Sequence, residues 1–164
     1  MIDRVILTGD PLTRAQVVAV ADRLAKVEVA PSVADRMAPA RRLVEEAVEK
    51  GDVVYGVTTG FGALASTRVE PEMSAAMQVS LLRSHAAGVG ESLPDRMVRA
   101  MLLLRARTLA QGHSGVRPVI VERIVDLLRA DVLPVVPGQG SVGASGDLAP
   151  FAHLALPLIG EGLV

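Results

Sequence analysis

Gly143-Ala144-Ser145-Gly146-Asp147 lies within Pro137-Gly-Gln-Gly-Ser-Val-Gly-Ala-Ser-Gly-Asp-Leu-Ala-Pro150, a stretch made mostly of small residues. Glycine on either side of Ala144-Ser145 removes the Cβ that would hold one peptide group away from another, so the backbone can fold tightly onto itself. One hydroxyl stands at the centre, on Ser145, and one carboxylate follows at Asp147. Small residues suit ring closure between neighbouring peptide groups, and a β-hydroxyl can be eliminated. Two plainer readings compete. A glycine-rich loop often precedes a helix, here with Asp147 or Ser145 as N-cap and Pro150 in the first turn. Gly138-Gln-Gly140-Ser-Val-Gly143 also matches the dinucleotide pattern GxGxxG, with Glu161 near the expected acidic position. That pattern needs a strand before it and a helix opening within it. Pro134 and Pro137 argue against the strand, and Gly143, Gly146 and Pro150 postpone the helix, so the dinucleotide reading fails.

Two further stretches carry chemistry. Tyr55-Gly-Val-Thr-Thr-Gly-Phe-Gly62 holds the one tyrosine of the chain among glycines and threonines. A phenol is a poor base at its usual pKa of about 10, so a catalytic tyrosine needs a positive charge, hydrogen bonds to the phenolate or a helix N-terminus beside it. The plain alternative is a packing residue next to a glycine turn. Ser84-His85 lies in Leu-Leu-Arg-Ser-His-Ala-Ala-Gly-Val-Gly90, where a histidine near a helix C-terminus also has a simple electrostatic reason to be. His113 in its Gly-Ser break and His153 in the last helix read as local or interior histidines. With no cysteine and no HExxH spacing, no metal site is expected.

These stretches resemble the signatures of the aromatic amino acid ammonia-lyases, the family of histidine, phenylalanine and tyrosine lyases. The resemblance implies that Ala144, Ser145 and Gly146 cyclise autocatalytically to the electrophilic methylidene-imidazolone group (MIO), with Asp147 assisting. It implies that Tyr55 is the base that takes the substrate β-proton, and that Gly62, Ser84 and His85 contact the substrate. Ser-His at 84–85 and the run Leu64-Ala-Ser-Thr-Arg68 look most like histidine lyases, which convert L-histidine to trans-urocanate and ammonia. Thr58 departs from the Asn many of them carry, which weakens the substrate assignment. The alternatives are another MIO enzyme, either a tyrosine or phenylalanine lyase or an aminomutase, and a non-catalytic helical assembly protein. The resemblance further implies a homotetramer acting on a small amino acid. Family members continue into long helices with further active-site groups, so residues 1–164 are expected to be an N-terminal, MIO-loop-bearing domain, incomplete relative to the family. By itself such a piece is expected to be inactive, with Ser145 uncyclised.

Composition narrows the class. A net charge of −1 lacks the basic footprint of nucleic-acid binders. The absence of cysteine suits a reducing cytoplasm, the N-terminus lacks a signal-peptide plan, and Arg, Asp, His or Pro interrupts every apolar run before it reaches membrane length. Half of the residues are hydrophobic but 2% are aromatic, and the mean hydropathy is +0.40. The excess lies in Ala, Val and Leu, which suits helices that pack on several faces within a larger assembly.

The elements that must position these residues are mainly helical, as the resemblance to the ammonia-lyase/fumarase-like helical fold also implies. Residues 4–8 read as a short strand, with 27–29 as its partner in a small ribbon. Thr13 and Gln16 form a capping box, with Leu12 and Val17 as its staple. Further helices are predicted over 32–50, 71–87, 94–111 and 118–129. A last helix starts near Leu148 and is ended or kinked at Pro157. Val33, Met37, Ala40, Leu43, Val44, Ala47 and Val48 form the apolar stripe of the 32–50 helix.

Overall fold

A computed structural model describes residues 2–62, 65, 69, 71–143 and 146–164, with backbone alone at Pro71, Glu72 and Ser74. The elements run β1 (Arg4–Leu7), α1 (Arg14–Ala21), β2 (Lys26–Val29), α2 (Ser32–Lys50), α3 (Pro71–His85), β3 (Val89–Ser92), α4 (Asp95–Leu109), α5 (Pro118–Ala130), β4 (Pro137–Gln139) and α6 (Leu148–Ala155). A 3₁₀ turn, Leu156–Ile159, closes the series. The chain is mainly α, as expected.

The predicted N-terminal ribbon exists and is parallel, from Arg4 opposite Lys26 to Leu7 opposite Val29. Parallel strands need a crossover, and α1 supplies it. The Thr13 capping box is complete: Gln16 N–H donates to Thr13 Oγ1 at 3.2 Å, and Thr13 N–H donates to Gln16 Oε1 at 2.8 Å. Val5, Leu7, Val20 and Val27 then meet Val33 and Met37 of α2, Val98, Leu102 and Leu103 of α4, and Val121 and Val125 of α5 in one buried core.

Two close approaches hold α2 and the exit of β1 against the end of α4. A Cβ on Gly112 would stand 2.3 Å from Arg36 O, and one on Gly9 would stand 2.5 Å from Ala110 O. Arg36 fastens the same junction by donating from NH1 to Thr8 O at 2.8 Å and to Asp10 Oδ1 at 3.0 Å. Beyond it the predicted apolar stripe of α2 does not stay covered. Val33 and Met37 are buried, but Leu43 is 67% exposed and Val48 is exposed too, because the C-terminal half of the helix runs off the core.

The sequence reading missed two elements. Where a helix was expected to run to Ala87, α3 stops at His85 and β3 follows, paired antiparallel with β4. Glycines that looked like turn formers let the two backbones meet: a Cβ on Gly138 would lie 3.1 Å from Glu91 O, and one on Gly140 would lie 3.1 Å from Gly88 Cα. Pro137 therefore does not prevent a strand; it is the first residue of one, a position where its missing N–H is tolerated. The dinucleotide reading still fails, since this strand is antiparallel and α6 opens only at Leu148.

A buried arginine was also unforeseen. Arg99 of α4 is 5% exposed and donates to Val20 O at 3.0 Å, Leu128 O at 3.4 Å and Asp131 Oδ1 at 2.6 Å. Those partners satisfy a charge that would be costly if left alone in the core.

Candidate active site

Tyr55 rides on a loop that holds its own shape through two threonine hydroxyls. Thr58 Oγ1 accepts from Val54 N–H at 2.8 Å and donates to Asp52 O. Thr59 is wholly buried, and its Oγ1 accepts from Gly56 N–H at 3.2 Å and donates to Gly60 O at 3.0 Å. Such side-chain-to-backbone bonds replace regular secondary structure in a turn. Gly56 has φ +71°, and a Cβ there would come within 2.8 Å of the Phe61 ring, which in turn meets Tyr55 edge-on at 5.9 Å. Gly62 N–H points at the Tyr55 phenol oxygen from 3.5 Å. Replacing Thr59 by Val is expected to leave Gly56 N–H unpaired and cost about 1–2 kcal/mol, read as faster exchange of that amide.

At the end of α3 the His85 ring is fixed by its own helix. Nδ1 lies 2.9 Å from Leu81 O, and a carbonyl can only accept, so Nδ1 carries the proton. In the neutral ring Nε2 is then an acceptor, and it has no hydrogen-bond partner among the described residues. Ser84 is occupied locally, its Oγ donating to Leu81 O at 2.9 Å.

Tyr55, Gly62 and His85 line one cavity of about 730 Å³, together with Leu148 and Phe151 of α6 and an apolar wall from α4 and α5 that includes Leu102, Leu109 and Ile124. Three of the expected substrate and catalytic positions thus share one space, and Leu148 directly follows Asp147. Ser84 is not part of that lining. Asp147 accepts from Ser141 Oγ and makes no side-chain cap of α6. Ala144 and Ser145 lie outside the described residues, as do Leu64 and Ser66 through Arg68. The glycines beside the pair are described: Gly143 and Gly146 have φ +70° and +92°, with open space where a Cβ would be, so backbone conformation alone calls for glycine.

Arg105 was not singled out from the sequence. It lines the cavity with its guanidinium over the Phe151 ring, 5.0 Å from the centroid. It has no carboxylate partner among the described residues, and desolvation pushes its pKa below the ordinary arginine value. Its place on the cavity side was readable, since Leu102 and Leu109 flank it at i−3 and i+4 on one helix face.

A helical body that brings a glycine-flanked tyrosine, a histidine at a helix end and the helix opening at Leu148 to one cavity has close counterparts. The family model described as aromatic amino acid lyase matches residues 12–164. The chain belongs to that family. It is 48% identical to histidine ammonia-lyase of Geobacillus thermodenitrificans over 160 residues, 98% of this chain and 32% of that protein. The crystal structure of the ergothioneine-degrading enzyme ergothionase from Treponema denticola superposes with a TM-score of 0.93 at 32% identity, over 98% of this chain and 32% of that one. Tyrosine aminomutase from Streptomyces globisporus gives 0.88 at 38% identity, over 97% of this chain and 30% of its own. The chain spans about a third of the length of these relatives. The family generally uses the MIO group. No helix among the described residues is long and apolar enough to cross a membrane.

Proposed function

We propose that residues 1–164 form the MIO-loop-bearing domain of a histidine ammonia-lyase-like enzyme that eliminates ammonia from L-histidine to give urocanate. The observation that carries the reading is the meeting of Tyr55, Gly62 and His85 on one cavity beside the helix that follows Asp147. The residues fit the MIO group: Gly143 and Gly146, both at positive φ, bracket Ala144 and Ser145, and Ala144, Ser145 and Gly146 are the three that would form it. When formed, the group supplies an electrophile that makes ammonia a tolerable leaving group.

The rest of the chemistry falls to side chains of this chain. Tyr55 takes the β-proton; that electron pair becomes the new C=C bond, and the Cα–N bond breaks to release ammonia. Gly62 N–H faces the phenol oxygen from 3.5 Å, where it can donate to the base. His85, with Nδ1 tied to Leu81 O, offers Nε2 as acceptor to an imidazole N–H of the substrate. Asp147 assists formation of the electrophile, and Ser84 supports the His85 ring from 3.1 Å. The exposed apolar residues Leu43, Val48, Val53 and Met73 support assembly into a homo-oligomer, a tetramer on the family's pattern. A cysteine-free chain suits a cytoplasmic setting.

Ammonia release from L-histidine, L-tyrosine and L-phenylalanine by the full-length protein and by its His85→Leu variant tests the reading. Histidine is expected to be preferred, and the variant to lose roughly 10–100-fold in kcat/KM for histidine, the worth of one buried hydrogen bond. Preference for tyrosine or phenylalanine would overturn the substrate. The likeness to tyrosine aminomutase favours a second reading, in which the amine returns to the β-carbon. A β-amino acid product without free ammonia would establish that instead.

A further inference from the structure

His153 lies on α6, is not among the residues lining the cavity, and makes one long-range hydrogen bond among the described residues. Gly88 N–H donates to its Nε2 at 3.1 Å. That bond joins two segments distant in sequence: the exit of α3, three residues after His85, and α6, whose Leu148, Phe151 and Ala152 line the cavity. The meeting point is tight. A Cβ on Gly88 would stand 3.1 Å from His153 Nε2, 3.1 Å from Pro137 Cβ and 3.3 Å from Gln139 O. Gly140 closes the same corner, since a Cβ there would lie 3.3 Å from Ala149 Cβ of α6. The exit of α3, the β4 backbone and the first turn of α6 therefore converge where the imidazole accepts its bond.

We propose that His153 is a positioning residue of the reaction: by accepting the Gly88 N–H it fixes the end of α3, and so His85, against the helix that emerges from the Gly143–Asp147 loop. The proposal rests on the histidine-lyase reading for the role of His85, although the link itself does not. An apolar side chain would fill the same volume and leave Gly88 N–H without its acceptor. Arg83 pairs with Glu161 beyond α6 and ties the same elements independently, so loss of the imidazole bond disturbs alignment before it disturbs folding.

The donor fixes the protonation state required. Nε2 must be bare, so the ring is neutral with its proton on Nδ1. Burial agrees, lowering the His153 pKa from its ordinary 6.5. A folded pKa below the unfolded one means that the unfolded chain takes up the proton first as pH falls. The stability it confers is thus complete above about pH 6.5 and declines as pH falls, and the bond itself is lost only as pH drops through the lower pKa of the folded state. The charged or titratable groups nearest in sequence to this corner are Arg83 and His85 at the end of α3, Glu91 of β3, Glu161 after the 3₁₀ turn and Asp147 at the head of α6, while α4 carries Asp95, Arg96, Arg99, Arg105 and Arg107. β4 and the 3₁₀ turn carry none.

The test is amide and histidine-ring NMR on the 164-residue chain between pH 8 and 5, for wild type, His153→Gln and His153→Leu. Glutamine keeps an oxygen acceptor but cannot titrate. In the wild type the Gly88 amide is expected to be protected at high pH and to lose protection as His153 protonates. His153→Gln is expected to stay protected across the range. His153→Leu is expected to lose roughly tenfold in protection at every pH, with displaced His85 ring signals. A Gly88 amide indifferent to pH and to both variants overturns the link; unchanged His85 signals in His153→Leu overturn the positioning role. If His153→Leu does not fold, the pH series of wild type against His153→Gln decides the link, and the wild-type His85 signals, followed through the same transition, decide the positioning. None of these readouts needs turnover. Failure of the substrate reading would appear separately, as a changed substrate preference with the Gly88 bond intact.

Discussion

Replacing Tyr55 by Phe in the full-length protein is expected to lower ammonia release from histidine by roughly 10²–10⁴-fold, the usual worth of a positioned general base. The substitution separates chemistry from packing. The edge-on contact of Tyr55 with Phe61, at 5.9 Å and 79°, survives in phenylalanine. What disappears is the oxygen that Gly62 N–H faces from 3.5 Å, the one hydrogen-bond partner of that hydroxyl among the described residues. With the side chain 64% exposed, the change in stability should stay within about 0.5 kcal/mol, as for other surface positions. Initial rates at saturating histidine, beside thermal unfolding of the same preparations, give both numbers. A variant within a few-fold of wild type would remove Tyr55 from the chemistry and leave it as the packing residue of the plainer reading.

The largest effect on stability is expected from Gly112→Ala. Gly112 has φ +81°, so a side chain there costs on the order of 1–2 kcal/mol in backbone strain alone. Its Cβ would also fall 2.3 Å from Arg36 O and 2.9 Å from Arg36 C. Those are backbone atoms inside α2 and cannot swing aside like the tip of a flexible side chain. Relief requires α2 to move off the α4–α5 junction, an overpacking cost of about 1–3 kcal/mol. Together these lower the melting temperature by roughly 6–12 °C for a chain of this size. Gly160→Ala is the control: φ is +77° and nothing lies within 4 Å, so only strain acts and the shift should be roughly 2–6 °C. Equal shifts for the two variants would show that the approach of Gly112 to α2 is not tight.

The comparison of these glycines shows what a sequence can disclose. Helix ends written in local chemistry were readable: Thr13 with Gln16, Gly51 after Lys50 and Pro118 at the first turn of α5 all act where expected. Gly88 and Gly90 stand just past the expected helix end and Gly138 in the small-residue stretch, yet they admit a strand pair, because the partner segment lies far along the chain. Arg99 was hidden for the same reason. Its acceptors, Val20 O, Leu128 O and Asp131, come from three distant segments that no spacing announces. At the site, Tyr55 and His85 were legible because their motifs are short and chemically distinctive. Arg105 and the Gly88–His153 bond required the third dimension.

The pairing of β3 with β4 has a consequence for how the molecule is made. Val89 opposite Gln139 is a contact between distant parts of the chain, and closing such a loop costs entropy that local contacts do not. The Thr58 and Thr59 staples, by contrast, close within a few residues and can form as soon as their segment leaves the ribosome. During vectorial synthesis the tyrosine loop, α3 and β3 therefore exist before the glycine-bracketed segment emerges. β4, just ahead of that segment, then pairs with a β3 already synthesised. The segments carrying Tyr55 and His85 are made first, and the segment proposed to form the electrophile follows them.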